Sequence, residues 1–600
     1  MKKKFIVLGI HDGHDASCCI TVNGKIIFAA QEERYSKTKN DYGFPKKAIN
    51  SLLDYTKINP KDIDVVALGT NFLNPILSKL KRNANFSIQN WIEEQELFWK
   101  PILLEKKKKI SYWNIFKNKN FKHDKYYNYD GIIKSYMSKI EMEKFRDRRI
   151  KKIKDFLKID SNKIKIVDHE TCHRLYSYYF FPIRKNGNCI TAEGIGDYSN
   201  GSVSKIINNE IKIITHNKEN HIGHIYQYIT LLLGLKPTHH EYKVMGLAPY
   251  ASEYEVKKCF KVFDDILKVE KLNVVFKKKP KDLYFHFKEK FKYSRFDGIA
   301  GALQKFVEKI LSQWFEKIQK KTKLKIFYFA GGVAQNIKAG LALSKNPKVN
   351  KIYIPPAAGD TTISVGAAFS INARYCKKNN INSSKYIKPV TNMYLGNEIN
   401  DSELEIFLKK IKKNFIIKKN YKAKDVAKKL SKGKVIGRCY GRMEFGLRSL
   451  GNRSILCDPR YYSNINKINS KIKKRDFWMP FTPTILDKDF NKYCINPKNL
   501  ESKFMSMAFD TTELGKKSLQ AAIHPADHTA RPQKLVKNDN PEYYEIISEF
   551  KKITGVGAVL NTSLNLHGLP VVENINDAFN VMFKSDLDIL LINNYMIIKN

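Results

Sequence analysis

No apolar run in the 600-residue chain is long enough to cross a bilayer. The longest, Ile229-Thr230-Leu231-Leu232-Leu233-Gly234-Leu235, falls far short of the roughly 20 residues a helical span needs, so no membrane span is expected. The opening MKKKFIVLGIHDG has a basic start, but His11 and Asp12 break its short apolar stretch, and it reads as a first strand rather than a signal peptide. There is no Cys-x-x-Cys. Nine cysteines, two of them the adjacent Cys18 and Cys19, form neither a disulfide framework nor a zinc ribbon, which points to a reducing, cytoplasmic setting. Acidic residues are scarce, with 59 against 107 basic ones, for a formal charge of +48. Such an excess suits a nucleic acid or an anionic surface, or else reflects a composition rich in Lys, Asn and Ile. The lysines are spread along the chain, with no arginine-rich tail and no nucleic-acid-binding module. That argues against a nucleic-acid partner and for small polyanionic substrates.

Hydrophobic residues make up 43% of the chain, enough for ordinary buried cores, and 600 residues exceed what one core serves. The first segment alternates strand and turn. Phe5–Ile10 is β-rich, His11–Ser17 a polar turn, and Cys18–Val22 and Lys25–Ala30 flank the hairpin signal Asn23-Gly24. A helix over 45–56 and a buried strand over Ile63–Leu68 follow. The same grammar returns at 188–214, where the strand Cys189–Ala192 runs into Glu193-Gly194-Ile195-Gly196-Asp197 and a second hairpin turns at Asn208-Asn209. Two such copies suggest a duplicated α/β core of the actin/hexokinase type. Between them lies a basic insertion, about 76–160, with Lys106–Lys109 and an amphipathic helix on Ile150, Ile153 and Leu157. It reads equally as a substrate-shaping element or as a surface helix with a solvated charged face. Lys377–Asn392 looks like a linker, placing a domain boundary near 385 and a second α/β domain over 386–600.

Three constellations carry chemistry. His169-Glu170-Thr171-Cys172-His173 follows the strand Ile164–Val167 and opens a helix, so the two imidazoles face one side, one turn apart, as two ligands of one metal do. Its spelling is also that of a zinc-protease helix, but no third ligand follows at protease spacing. Ala330-Gly331-Gly332-Val333-Ala334-Gln335-Asn336 follows a strand and is expected to open a helix whose backbone N–H groups approach a phosphate. Asp360 then ends a glycine-bearing stretch, a good place for a metal ligand. In the second half, Arg442, Arg448 and Arg453 are interleaved with glycines, and Lys471, Lys473, Lys474, Arg475, His528-Thr529-Ala530-Arg531 and Asn561-Thr562-Ser563 follow. Arginine forks bind phosphate oxygens in pairs, so this run reads as an anion site or, more blandly, as the surface of a basic protein.

Taken in order, these motifs resemble the O-carbamoyltransferase family of antibiotic, toxin and nodulation-factor biosynthesis. In that family a metal-dependent domain similar to the tRNA threonylcarbamoyl transferase is fused to one similar to threonylcarbamoyl-adenylate synthase. The resemblance rests on His14-Asp15-Ala16-Ser17, Glu32-Glu33-Arg34, the His169/His173 pair, Glu241–Tyr250, Ala330–Ala334, Gly359-Asp360, Arg442–Ser454, Thr529–Gln533 and Asn561–Asn565. It implies a metal-dependent transfer domain over 1–385 and a carbamoyl-adenylate-forming domain over 386–600. It implies a divalent metal, ferrous iron, on His169, His173, Asp360 and the acidic residue at 193. Here the chain has Glu193-Gly194 where the family has Asp-Gly, so the carboxylate reaches one methylene further. A milder departure is Gly446-Leu447-Arg448-Ser449, where the family reads Gly-Pro-Arg-Ala.

The resemblance further implies contacts to nucleotide and carbamoyl phosphate at Lys39, Gly194, Gly196, Gly331, Gly332 and Asn336. In the second domain it implies the same for Arg448, Arg453, Lys473, Arg475, His528, Arg531, Asn561 and Ser563. His14 is the expected general base on the acceptor hydroxyl, since a neutral imidazole suits that task near physiological pH. ATP, with magnesium, and carbamoyl phosphate are the expected co-substrates. A sugar, glycan or polyketide alcohol is the expected acceptor, acted on by a monomer or homodimer. Two other readings stand beside this one: carbamoyl-type modification of tRNA, which predicts salt-dependent RNA binding, and a nucleotide-gated binding protein without catalysis.

Overall fold

The computed structural model describes residues 4–81, 86–107, 110–118, 127–136, 138–411 and 414–599; Lys108 and Lys109 of the basic run lie outside them. The chain divides into two compact units, Met1–Pro389 and Val390–Asn600.

The first unit holds two five-stranded sheets of one design. In the first, β1 (Ile6–His11), β2 (Ser17–Val22), β3 (Lys25–Gln31), β4 (Val65–Gly69) and β5 (Ile164–Val167) run in the order β3-β2-β1-β4-β5. In the second, β6 (Gly187–Ala192), β7 (Gly201–Ile207) and β8 (Glu210–Asn217) form the meander. A small hairpin, β9 (Leu267–Glu270) and β10 (Asn273–Phe276), stands apart. β11 (Ile326–Ala330) and β12 (Lys351–Tyr353) then complete the order β12-β11-β6-β7-β8. In both sheets the first three strands are antiparallel and the next two add in parallel. Both meanders even break register at the matching place, between Ile20 and Thr21 and between Val203 and Ser204. The expected duplicated core is therefore present strand for strand.

Two helices occupy equivalent places, His169–Tyr179 after β5 and Ile363–Lys378 beyond β12, and they pack on each other. Small residues permit this. A Cβ on Gly366 would lie 2.0 Å from the Cys172 carbonyl oxygen, so the helices meet backbone to backbone. Buried polar groups fix the register, with Ser17 Oγ on the Thr361 carbonyl (2.7 Å) and on Ser364 Oγ (2.8 Å). In such mixed sheets ligands gather beyond the carboxyl ends of the parallel strands. Those ends are His11, Gly69 and Val167 in one sheet and Ala192, Ala330 and Tyr353 in the other.

The insertion contributes a 19-residue helix, Lys139–Leu157, whose buried stripe is Glu141, Phe145, Arg149, Ile153 and Leu157 at strict four-residue spacing. The charged face is solvated as expected, but one of its arginines, Arg149, points inward. The 377–392 stretch is also less loose than a linker. Its helix continues to Lys378, and Arg184 Nη1 then clamps the carbonyls of Ser384 (2.6 Å) and Ile387 (2.9 Å).

The second unit is one eight-stranded mixed sheet. β13 (Phe415–Lys419), β14 (Ile436–Cys439), β15 (Arg453–Cys457), β16 (Thr482–Leu486), β17 (Gln533–Leu535), β18 (Ala558–Ser563), β19 (Ile589–Ile592) and β20 (Tyr595–Lys599) lie in the order β13-β20-β19-β14-β15-β18-β16-β17. β18 runs antiparallel to both β15 and β16, and β17 parallel to β16. The starts of β15, β16 and β17 and the finish of β18 thus share one end of the sheet. No helix among the described residues is long and apolar enough to cross a membrane.

Candidate functional site

At the strand ends of the first unit, His169, His173, Glu193 and Asp360 bring one nitrogen or oxygen each to within 4.8 Å of one another. Their sources follow from the duplication: Glu193 lies just past β6, the histidines on the helix after β5, and Asp360 just before the matching helix after β12. Asp168 caps the histidine helix by accepting from Thr171 N–H at 2.9 Å. Asp197 accepts from the N–H groups of His169 (2.7 Å), Asn71 (2.8 Å) and Phe72 (2.9 Å), tying that helix start to the end of β4.

His173 Nε2 stands 2.6 Å from Glu193 Oε1, 3.1 Å from His169 Nε2 and 3.8 Å from Asp360 Oδ1. Burial would lower the His173 pKa, but Glu193 and Asp360 outweigh it and raise it to about 10. Burial would likewise raise the Asp360 carboxyl, yet the surrounding histidines hold it well below the carboxylate range. The cluster is thus built to stabilise positive charge at its centre. Two imidazole nitrogens and two carboxylate oxygens fit a divalent cation of the iron or zinc class. The hydroxyl of Thr70 sits 3.0 Å from His169 Nδ1, leaving Nε2 for the centre. Glu170, the residue that lent the motif its protease spelling, faces elsewhere: its carboxylate accepts from Ser199 Oγ and lies 3.2 Å from His216 Nδ1.

The glycine element departs from expectation. Gly331, at φ +101°, is followed by a 3-10 turn over Gly332–Gln335, and the α-helix starts only at Ile337, where Asn336 caps Ala339 N–H at 2.9 Å. Its contact is nevertheless specific, because Gly332 N–H donates to Glu193 Oε1 at 2.7 Å. A Cβ on Gly331 would lie 2.3 Å from the Ala192 carbonyl oxygen, so only glycine fits there. Asn336 is engaged in a mutual amide pair with Gln304. Gly194 is the close neighbour of Gly223, and Gly196 of the Ser199 carbonyl.

His14 occupies the turn after β1, with Nδ1 3.4 Å from Asp15 Oδ2 and its ring edge-on to His239, centroids 5.9 Å apart. Lys39 is exposed, one residue from Asn40, whose amide donates to Asp15 Oδ1 at 2.8 Å. Beneath this turn the Asp12 carboxylate is held by Arg149 Nε (2.8 Å) and Nη2 (2.7 Å) and by the Tyr127 hydroxyl, both from the insertion. Arg149 also donates to the carbonyls of Thr70 (2.8 Å) and Asn71 (3.0 Å).

In the second unit, the shared strand end gathers Arg448 ahead of β15, Arg475 ahead of β16 and Arg531 ahead of β17, with Thr562 and Ser563 at the finish of β18. Arg475 Nη2 donates to Thr562 Oγ1 at 2.9 Å. The buried Nε of Arg531 has no hydrogen-bond partner among the described residues. Burial, then the charges of Arg448 and Arg475, lower its pKa well below the usual guanidinium range. Three cations repelling one another in a part-buried place form a site prepared for an anion. Around it, Lys473 binds Asn565 Oδ1 (2.7 Å) and the Asn565 carbonyl (3.0 Å), and Asn561 Nδ2 reaches Thr484 Oγ1 (3.0 Å) and the Ser449 carbonyl (3.1 Å). Arg453 is fully buried, and its Nη1 holds the carbonyls of Tyr440, Gly441 and Asn452 at 3.0–3.1 Å, so it shapes the arginine loop from below. His528 is exposed, with its carbonyl fixed by Thr511 Oγ1 at 2.6 Å.

Residues 6–369 match the family model described as carbamoyltransferase N-terminus, and residues 427–599 match the one described as carbamoyltransferase C-terminus. The chain is a member of the carbamoyltransferase family. An uncharacterized protein of Methanocaldococcus jannaschii is 30% identical to it over 99% of this chain and 100% of its own. The nodulation protein NolNO of Sinorhizobium fredii is 27% identical over 98% of this chain and 79% of its own. A 3'-hydroxymethylcephem-O-carbamoyltransferase of Amycolatopsis lactamdurans is 31% identical over 25% of this chain and 27% of its own. The chain is thus an enzyme of carbamoyl transfer, and O-carbamoylation is the chemistry its family supports.

Several residues around these clusters escape a reading of the sequence. The His239-His240 doublet stands directly before the Glu241–Tyr250 run and is the available signal for His239. Asp197 lay inside the Glu193–Asp197 turn without an assigned role. Arg149 and Tyr127 gave no signal, because charge-rich insertions look alike whether or not one arginine turns inward.

Proposed function

We propose that this carbamoyltransferase makes carbamoyl-adenylate in its second unit and transfers the carbamoyl group in its first to a hydroxyl of a small molecule or glycan. The observation that carries the reading is the convergence of Arg448, Arg475 and Arg531 on one sheet end, with the buried Nε of Arg531 lacking a hydrogen-bond partner among the described residues. ATP, with its magnesium, and carbamoyl phosphate are polyanions, and guanidinium forks at that place hold their phosphates together. In the first half-reaction water attacks the phosphorus of carbamoyl phosphate, releasing phosphate and leaving carbamate, and a carbamate oxygen then bonds to the α-phosphorus of ATP as the bond to pyrophosphate breaks. In the second, the acceptor oxygen bonds to the carbamoyl carbon, the bond to AMP breaks, and the hydroxyl proton goes to His14 Nε2.

His169, His173, Glu193 and Asp360 would hold a divalent metal, ferrous iron in our reading, which when bound stabilises negative charge developing on a carbonyl or phosphoryl oxygen. Glu193 has a second duty, since its Oε1 also accepts from Gly332 N–H and so couples the glycine turn to the cluster. His173→Ala should lower the bound metal measured by elemental analysis, and Glu193→Asp, which keeps a carboxylate, should retain it. A His173→Ala protein with unchanged metal content would remove the ligand assignment. Arg531→Ala should stop carbamoyl-phosphate-dependent pyrophosphate release from ATP, read by a coupled phosphate assay. Release at the wild-type rate would refute the anion site. The overall reading is tested by AMP appearing only when carbamoyl phosphate and a hydroxyl acceptor are both supplied, with a gain of about 43 Da on the acceptor, the mass of one carbamoyl group replacing one proton.

A further inference from the structure

The geometry around His14 assigns protons by elimination. Asp15 is buried, which would raise its carboxyl, but the charge and hydrogen bond of His14 and the bond from Asn40 hold it below the usual range, so it accepts only. Its Oδ1 receives the Asn40 amide Nδ2 at 2.8 Å, and this fixes which way that amide faces. Asn40 therefore turns its carbonyl oxygen to His239, 3.1 Å from Nδ1, and only a protonated Nδ1 can meet it. Burial, then the neighbouring His14, lowers the His239 pKa to about 2, so the ring is neutral and its Nε2 bears a lone pair. By the same logic the Asp15 carboxylate facing His14 Nδ1 leaves His14 Nε2 as the basic nitrogen. Two imidazoles thus stand edge to face, with the Nε2 of His239 in acceptor form.

His239 is not a satisfied core histidine. It keeps part of its surface exposed, and its Nε2 makes no hydrogen bond among the described residues. Its loop is held rigidly: Lys236 N–H reaches His240 Nδ1 at 3.2 Å, and Thr238 N–H reaches Glu241 Oε1 at 2.6 Å. Thr238, a β-branched residue, sits at φ +64°, a strained conformation that surrounding structure must over-determine.

We propose that His239 is a second substrate-contacting imidazole of the transfer site, whose Nε2 accepts a hydrogen bond from a neutral N–H or O–H donor beside the reacting carbon. Two groups supply that chemistry, the amino group of the carbamoyl itself and a second hydroxyl on the acceptor. The inference rests on the reading of His14 as the base. It is tested with the full chain, ATP and carbamoyl phosphate, using ethanol and ethylene glycol as surrogate acceptors and mass spectrometry of the carbamates formed.

Loss of one neutral hydrogen bond should lower transfer by about 2- to 10-fold in His239→Ala, with partial rescue in His239→Gln, whose amide oxygen can accept. An equal fall with both alcohols identifies the carbamoyl amino group. A fall confined to ethylene glycol identifies the second hydroxyl. Unchanged transfer to both, in a His239→Ala protein that still depends on His14, overturns the proposal. If His14→Asn transfers normally, the general-base reading fails separately. A second measurement does not depend on turnover: nitrogen NMR of histidine-labelled protein should show His239 neutral and protonated on Nδ1. A ring protonated on Nε2 would overturn the proposal whatever the rates.

Discussion

His14→Asn is expected to slow carbamoyl transfer by about 10²- to 10⁴-fold, the usual effect of losing a general base, and to leave pyrophosphate release within a few-fold of wild type. The separation is expected because His14 belongs to the turn after β1, whereas the arginine cluster belongs to the other unit's sheet. Asparagine keeps a polar side chain of similar reach and can still face Asp15, so the turn and its Asn40 link should survive. It cannot take up a full proton, so the acceptor oxygen must attack while still protonated. The comparison requires both half-reactions on one preparation: pyrophosphate release without acceptor, then product formation with it. Loss of both in equal measure would make His14 a structural or adenylate-binding residue. Loss of neither would remove it from the chemistry.

The parts of the fold written in local patterns were readable from the chain. Asn23-Gly24 and Asn208-Asn209 mark hairpins, and the alternation around them repeats, which is why the duplication could be seen before the sheets were known. The His169/His173 pair was equally local, since spacing of four on a helix places both rings on one face. What no local pattern supplies is strand order, so the anion site expected from the arginine run rested on residue type alone. Arg448, Arg475 and Arg531 are far apart in sequence and meet because β18 inserts between β15 and β16, with β17 beyond, an order that no local period encodes.

Glu193 came only through resemblance, as a carboxylate in a glycine turn says nothing of a histidine helix folded beside it. The glycines at 331 and 332 were expected to open a helix. Instead the turn is spent on a close approach to Ala192 and a bond to Glu193, and the helix begins after a true cap at Asn336. His239 needed a tertiary chain of three hydrogen bonds before its position meant anything. The insertion helix shows the limit most plainly, because Arg149 sits on the same four-residue stripe as Phe145, Ile153 and Leu157, and hydrophobic periodicity skips a charged residue in that place.

Arg149→Ala should destabilise the protein by about 3–5 kcal/mol, the usual effect of removing one partner of a buried ion pair. Both side chains are fully buried, and Arg149 meets Asp12 through two nitrogens while holding the Thr70 and Asn71 carbonyls. Its removal strands a carboxylate supported chiefly by the Tyr127 hydroxyl and releases two carbonyls at the end of β4. Thr70 carries the hydroxyl beside His169 Nδ1, so the surviving folded protein should also bind metal less tightly.

The pH dependence has a definite sign. Burial alone would raise the Asp12 carboxyl, but Arg149 and Tyr127 outweigh it and hold it below the ordinary range. In the wild type the Asp12 contribution is therefore complete above the unfolded carboxylate value of about 4 and is lost only as pH falls through the lower folded value. Without Arg149 burial prevails, the carboxyl rises, and protonating it relieves the variant at a higher pH. The stability gap measured by urea unfolding should thus narrow between neutral pH and pH about 4. Asp12→Asn combined with Arg149→Met, which removes both charges and keeps most of the volume, should recover much of the loss. A gap below about 1 kcal/mol, the range of an exposed pair, or one that does not change with pH, would show that the insertion helix does not anchor the turn after β1 through this ion pair.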